Sequence, residues 1–214
     1  IQGRPNDNIG LTLFGGEAFT QCPMTTDHIA LLSTFRGVSC ELQTNGTIAP
    51  GTAIGMGLTN AVSRLANSKA PSKVVILLTD GANNAGDISP LTAAEIAKQK
   101  GIRVYTIAVG RQGMVRQPVG ILPDGSYYYA NVKSDMDPAT LRSIAKATGG
   151  LYYAAASERE LRRIYKDIDK LERTKLKQHH YNKYYEAFTP FAWAAFALLL
   201  SEIVLRLTWL RRIP

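Results

Sequence analysis

Two hydrophobic periods divide the chain. Residues 74–78, VVILL, are apolar without a break and stop at Thr79-Asp80-Gly81. The run is β-branched and aliphatic, too short for a helix and flanked by turn formers. It predicts a strand buried on both faces. Residues 103–109, RVYTIAV, repeat the pattern and are closed by Gly110. Residues 9–14, IGLTLF, predict another strand, broken by Gly15-Gly16. Residues 18–22 predict a short edge strand ending at Pro23, and residues 151–155 a short final strand.

Between these runs the spacing is helical. Thr25 or Thr26 is the expected N-cap of a helix over residues 27–35, with apolar side chains at Ile29, Leu32 and Phe35. Leu58, Val62 and Leu65 predict a helix to about residue 66. Gly55 and Gly57 fall in its first turns, each costing about 1 kcal/mol relative to alanine. That cost predicts close approach of the backbone to a neighbouring loop or ligand. Ser89-Pro90 predicts an N-cap followed by proline, for a helix ending near Lys100 at Gly101. Asp137-Pro138 repeats the device for a helix to about Thr148, stopped by Gly149-Gly150. Ser157 and Glu160 are spaced as a capping box, and Leu161, Ile164, Ile168 and Leu171 mark one face of the helix behind it. In between, Asp124-Gly125 lies between Ile121-Leu122 and Tyr127-Tyr128-Tyr129, which predicts a hairpin on the ligand-side edge. The alternation predicts an α/β domain over residues 1–169, with a doubly wound, mostly parallel sheet.

Residues 170–186 are polar, basic and tyrosine-rich, and are expected to be a juxtamembrane linker. Residues 187–205, AFTPFAWAAFALLLSEIVL, hold one charge, Glu202, and are apolar all round the wheel up to Leu200. At about 1.5 Å per residue they reach roughly 28 Å, close to the hydrocarbon thickness. One C-terminal transmembrane helix over residues 187–210 is therefore expected, followed by a basic tail at 211–214. The alternative is a buried or amphipathic soluble helix. Trp193, Trp209, Tyr184 and Tyr185 are placed for the interfaces, and Glu202 and Arg206 are spaced to pair. Basic residues on both sides leave the orientation open.

The net charge of +8 is uneven: residues 1–169 carry 17 basic and 14 acidic side chains, residues 170–214 carry 8 and 3. The excess belongs mainly to the tail, which argues against a nucleic-acid-binding domain. Cys22 and Cys40 have no zinc spacing and make no disulfide framework; one bridge stays open beside two ordinary thiols. The chain opens on Ile1 in mid-pattern with no signal peptide in view, and reads as a piece whose beginning lies upstream. No GKS/T phosphate loop and no GxSxG elbow occur. Gly55-Met56-Gly57 follows a loop rather than a strand and is no dinucleotide fingerprint. His28, His179 and His180 lie near no evident nucleophile. The expectation is a protein that is not an enzyme.

Asp80 sits just past a strand's carboxyl end, where open α/β sheets place ligand chemistry. A carboxylate there either caps the turn or binds a hard cation through oxygen. Thr52, in a glycine-rich loop, adds a hydroxyl of the same hard character. In this order Gly51-Thr52 and Thr79-Asp80-Gly81 resemble two elements of the metal-ion-dependent adhesion site of von Willebrand factor A domains. The stretches RPNDNIGLTLFGGEAFTQCPMTTD, GTAIGMGL, LLTDGANNAGDISPLTAAEIAK and GIRVYTIAVG look like the membrane-anchored bacterial aerotolerance proteins of the BatA type. The resemblance covers about residues 9–169. It implies Mg2+ or another divalent cation at Thr52 and Asp80, and a domain facing the periplasm at the bacterial inner membrane. It implies partners among envelope proteins, including related von Willebrand factor A proteins and a MoxR-type AAA ATPase. The family's DxSxS element, which follows its first and central strand, occurs nowhere in the chain. The expected sheet therefore lacks that strand, and weak metal binding is expected of this chain alone.

The expected function is a membrane-anchored, non-enzymatic protein–protein interaction module of a cell-envelope complex. One alternative is a structural subunit with a vestigial metal site, making contact through Glu202, Arg206 and the three tyrosines. The other is a metal-dependent phosphohydrolase, for which Asn83, Asn84 and Asp87 are the polar neighbours of Asp80.

Overall fold

Branched apolar runs and the turn formers beside them place the strands. The computed structural model describes residues 6–39, 48–110, 113–122, 126–133, 136–179 and 188–208. Its strands are β1 (Ile9–Phe14), β2 (Ala18–Thr25), β3 (Val74–Thr79), β4 (Arg103–Val109), β5 (Met114–Ile121), β6 (Tyr127–Lys133) and β7 (Tyr152–Ala155). Its helices are α1 (His28–Arg36), α2 (Ile54–Ala66), α3 (Pro90–Gln99), α4 (Pro138–Thr148), α5 (Glu158–His179) and α6 (Phe188–Thr208). Cys40, Asp124-Gly125, His180, Tyr184, Tyr185, Trp209 and the basic tail lie outside the described residues. The chain falls into two compact units, Ile1–Leu176 and Lys177–Pro214.

In the first unit β3, β4 and β7 form a parallel sheet in that order, with Thr79 opposite Ala108 and Val109 opposite Ala155. β4 is its buried middle. Val104 and Ala108 join a core with Leu58 of α2, Ala93 of α3 and Ile144 of α4. Tyr105 and Ile107 join a second core with Ile164 and Ile168 of α5. Helices cover both faces of β4, and each fully buried aliphatic side chain stabilises the fold by roughly 1.5–3 kcal/mol. The glycines early in α2 have the reason their cost predicts. A Cβ on Gly55 would stand 1.9 Å from the Ile88 carbonyl oxygen, and one on Gly57 2.8 Å from the Phe14 ring.

β3 is not covered on both faces as its sequence predicts. Val75, Leu77 and Thr79 are buried, but Ile76 and Leu78 keep 37% and 38% exposure. Among the described residues β3 pairs only with β4, and β1 pairs only with β2, antiparallel. α2 packs against β1, β2 and β3 alike. β5 and β6 form the predicted hairpin.

Several local expectations change. β2 does not stop at Pro23: the register slips between Ile9↔Thr25 and Leu11↔Cys22, and the proline falls in that irregularity, where no ladder bond is asked of it. α1 is capped by Asp27, whose Oδ1 accepts from Ile29 N and Ala30 N, both at 3.0 Å, rather than by Thr25 or Thr26. Its buried residue is Leu31, while Ile29 is 83% exposed. Along α5, Ile164 and Ile168 are buried as predicted, but the fold buries Glu172 rather than Leu171.

Glu172 is met at the amino ends of the strands. Its carboxylate accepts from Arg103 Nε at 3.0 Å, from Ser72 Oγ at 3.0 Å and from Tyr105 Oη at 2.5 Å, and Arg103 Nη2 closes the ion pair. Burial pushes the Glu172 carboxyl up, but the bonds from Arg103, Tyr105 and Ser72 outweigh it and hold the group below the usual carboxylate range. Burial, with Glu172 beside it, pushes the Tyr105 phenol far above its ordinary value.

In the second unit α6 is helical, but the expected C-terminal transmembrane helix is not upheld. Among the described residues no helix is long and apolar enough to cross a membrane. Pro190 opens the run, and Ser201, Glu202 and Arg206 interrupt its end. The unbroken apolar stretch, residues 191–200, spans about 15 Å, half the hydrocarbon thickness. Glu202 and Arg206 do pair, at 3.7 Å with both side chains exposed, a contact of little energetic worth.

Candidate metal centre

The carboxyl end of β3 is closed by Thr79, not by Asp80. Gly81 N donates to Thr79 Oγ1 at 3.3 Å, and the same hydroxyl lies 3.3 Å from Gly81 O. Asp27 and Asp137 show what a capping aspartate does in this chain. Asp137 Oδ1 accepts from Ala139 N and Thr140 N at the start of α4, and Thr140 Oγ1 donates to Oδ2 at 2.6 Å. These bonds, from Thr140 first, hold the Asp137 carboxyl below its usual range. Asp80 has no such role. It is exposed, and among the described residues no hydrogen bond or ion pair takes up its carboxylate. The turn after β3 is held by the Thr79 hydroxyl, and among the described residues the Asp80 carboxylate takes no part in it.

Thr52 arrives from the loop before α2. That loop is tied to the β1–β2 turn, with Gly16 N donating to Ala49 O at 2.7 Å and Ala53 N to Gly15 O at 2.6 Å. It is tied to the loop after β3 as well. Thr52 N donates to Asn84 Oδ1 at 2.7 Å, Asn84 N to Thr52 O at 3.1 Å, and Gly55 N to Asn83 Oδ1 at 3.4 Å. The consequence is proximity: a Cβ on Gly81 would stand 3.4 Å from Thr52 Oγ1. The structure thus brings the Thr52 hydroxyl beside the residue that follows Asp80. Sequence reasoning names both. It misses Asn83 and Asn84 as the groups that join the loops, since an amide meeting a distant peptide leaves no spacing to read.

A hydroxyl and a free carboxylate are hard oxygen donors of the kind Mg2+ takes while keeping several waters. The pair has the right donor type without being a full ligand set. Among the described residues no group of three or more His, Cys, Asp or Glu could hold a metal ion. His28 is structural, its Nε2 lying 2.9 Å from Asp7 O. Cys22 is a buried free thiol.

A family model described as the von Willebrand factor type A domain matches residues 1–167. An uncharacterized protein of Borreliella burgdorferi is 28% identical over 100% of this chain and 61% of its own length. The chain thus spans less than two thirds of that curated relative. Among solved structures, the conserved hypothetical protein BatB from Bacteroides thetaiotaomicron is 27% identical, with a TM-score of 0.62 over 78% of this chain and 80% of that one. An aerotolerance-related membrane protein from Bacteroides fragilis is 26% identical, with a TM-score of 0.58 over 77% and 80%. Proximal thread matrix protein 1 from the mussel byssus, with a zinc-occupied MIDAS motif, is 25% identical, with a TM-score of 0.54 over 77% and 34%. The chain belongs to the von Willebrand factor type A domain family, and its likeness to these bacterial proteins places it with the BatA/BatB type.

Proposed function

We propose that this chain is a non-enzymatic protein–protein interaction module of the bacterial cell envelope, with a metal-ion-dependent adhesion-type site at Thr52 and Asp80. The observation that carries the reading is the free, exposed Asp80 carboxylate with the Thr52 hydroxyl held against the next residue of its loop. Mg2+ or another divalent cation bound there would keep a coordination position open, and an acidic side chain of a partner would fill it. Thr52 and Asp80 would hold the ion together with oxygens of a DxSxS motif, which this sequence does not contain. Zinc in the MIDAS motif of the mussel protein lends support. The description of the Bacteroides fragilis neighbour as an aerotolerance-related membrane protein supports a place at a membrane; that this is the inner membrane, with the domain on the periplasmic side, is part of the proposal. The expected partners are envelope proteins, among them related von Willebrand factor A proteins and a MoxR-type AAA ATPase, in a complex linked to aerotolerance or stress resistance.

Affinity capture from the membrane fraction tests this. Asp80→Ala in the full-length protein, and EDTA on the unaltered protein, are each expected to abolish partner capture. Capture that survives both sinks the metal-dependent reading. A second reading, a structural subunit with a vestigial site, draws on one observation. Tyr127, Tyr128, Tyr129 and Met114 are all exposed on the β5–β6 hairpin, and exposed aromatic side chains are the stuff of interface hot spots. Crosslinks that concentrate on this hairpin and are indifferent to EDTA favour it.

A further inference from the structure

We propose that Asn84 is the positioning residue of this site: it holds the Thr52 backbone at both its N–H and its carbonyl oxygen and so fixes the Thr52 hydroxyl relative to Asp80. The proposal rests on the metal-site reading above and deepens it. Thr52 N donates to Asn84 Oδ1 at 2.7 Å, and Asn84 N donates back to Thr52 O at 3.1 Å. A peptide N–H can only donate, so the side-chain amide must present its oxygen to Thr52, and the orientation of Asn84 is set by chemistry. The clasp is close on the flank as well. Gly51 has φ +121°, where side chains are disfavoured. A Cβ there would stand 2.9 Å from Ala85 Cβ and 3.3 Å from Asn84 Oδ1.

Asn83 extends the clasp to α2. The N-cap of that helix, Ala53, has no side chain able to cap, so the first turn lacks a local acceptor. Asn83 Oδ1 supplies one to Gly55 N from the loop after β3. Gly86 seals the same seam at φ +82°, where a Cβ would stand 2.9 Å from both Ala53 Cβ and Met56 Sδ. The two loops that carry Thr52 and Asp80 are far apart in sequence. These bonds turn the separation of the two oxygen donors into a fixed quantity, as support of a binding constellation by its surrounding shell requires. Asn84 itself is exposed, so replacing it leaves the buried cores untouched.

Asn84→Ala, Asn84→Asp and Asp80→Ala are made in the full-length protein. Mn2+ affinity is measured by titration, and amide hydrogen exchange at Thr52 is measured in EDTA. In Asn84→Ala, Thr52 is expected to exchange about tenfold faster and Mn2+ to bind about tenfold more weakly, the loss of roughly one good hydrogen bond. Asn84→Asp keeps an Oδ acceptor for Thr52 N–H. It is expected to restore the exchange rate, and to restore Mn2+ affinity at least to the unaltered value. Unchanged Thr52 exchange in Asn84→Ala overturns the clasp. Faster exchange with unchanged Mn2+ affinity overturns its positioning role, so long as Asp80→Ala loses the metal. If Asp80→Ala binds Mn2+ as well as the unaltered protein, the metal-site reading itself has failed and takes this proposal with it.

Discussion

A Cβ on Gly55 would fall 1.9 Å from the Ile88 carbonyl oxygen and 2.7 Å from its carbon. Two effects oppose each other in Gly55→Ala. Helix propensity gains up to about 1 kcal/mol, while forcing atoms into a filled site costs about 1–3 kcal/mol. The obstacle here is backbone, which cannot swing aside as a side chain can, so the cost wins. We expect Gly55→Ala to lower stability by about 1–2 kcal/mol, read as a lower urea midpoint at unchanged slope. A midpoint at or above that of the unaltered protein shows instead that the loop before α3 yields and propensity decides. This contact was legible in the sequence, because a glycine early in a helix demands a compensation. Asp80 was legible only as far as its strand end. That the Thr79 hydroxyl, and not Asp80, closes the turn could be seen only in the structure. Asn84 was not legible, since its partner is a peptide N–H and every residue but proline has one.

At the scale of elements, unbroken apolar runs located β4 to the residue and β3 to within one, and Pro or Gly punctuation located α4. Which face a helix buries was harder to read. On α1 the spacing of Ile29, Leu32 and Phe35 points one way, yet the contacts with β1 and β2 bury Leu31. On α5 the periodicity runs to Leu171, but position 172 meets Arg103, Tyr105 and Ser72, and a carboxylate satisfied by three donors displaces the apolar choice. That cluster gives α5 a pH dependence. The native Glu172 carboxyl lies below its ordinary value of 4.5, so its contribution is full above that value. It is lost as pH falls through the native value. The native Tyr105 phenol lies above its ordinary value of 10.0, so its contribution is full below that pH and is lost as pH rises beyond it. Removing one partner of a buried ion pair costs about 3–5 kcal/mol. The Arg103 side chain keeps 24% exposure, so a figure of about 2–4 kcal/mol is expected for Glu172→Ala. Glu172→Gln, which keeps the shape, is expected to cost less and to flatten the acid limb of a stability–pH curve measured by urea unfolding. An acid limb that Glu172→Gln leaves unaltered assigns the dependence to other carboxylates.

For the whole molecule the question is how much of a metal site this chain can assemble by itself. The family resemblance supplies three elements, and the sequence contains two of them. The structure gives that shortfall a physical form. β1 and β3 each pair on one side only among the described residues, and Ile76 and Leu78 of β3 stay more than one third exposed. α2 packs on both sheets, and Asn83 and Asn84 tie the loop of Thr52 to the loop after β3, so the Thr52 hydroxyl stands beside Gly81, the residue after Asp80, although among the described residues no strand joins the two sheets. Two donors are too few for tight binding. Mg2+ asks for near-octahedral oxygen coordination and gives up its waters reluctantly, and a site of one carboxylate and one hydroxyl would leave it four. The Coulomb term comes from one exposed carboxylate, which water and salt screen. We therefore expect this chain alone to bind Mg2+ with a dissociation constant on the order of millimolar or weaker, giving little heat in calorimetry at micromolar protein. A synthetic strand bearing DxSxS, added in trans, is expected to raise the affinity if it pairs with the edge of β3 that no described strand occupies and brings its oxygens to Asp80. Micromolar Mg2+ binding by the chain alone would refute this count of ligands. It would mean that donors other than Thr52 and Asp80 converge on the ion.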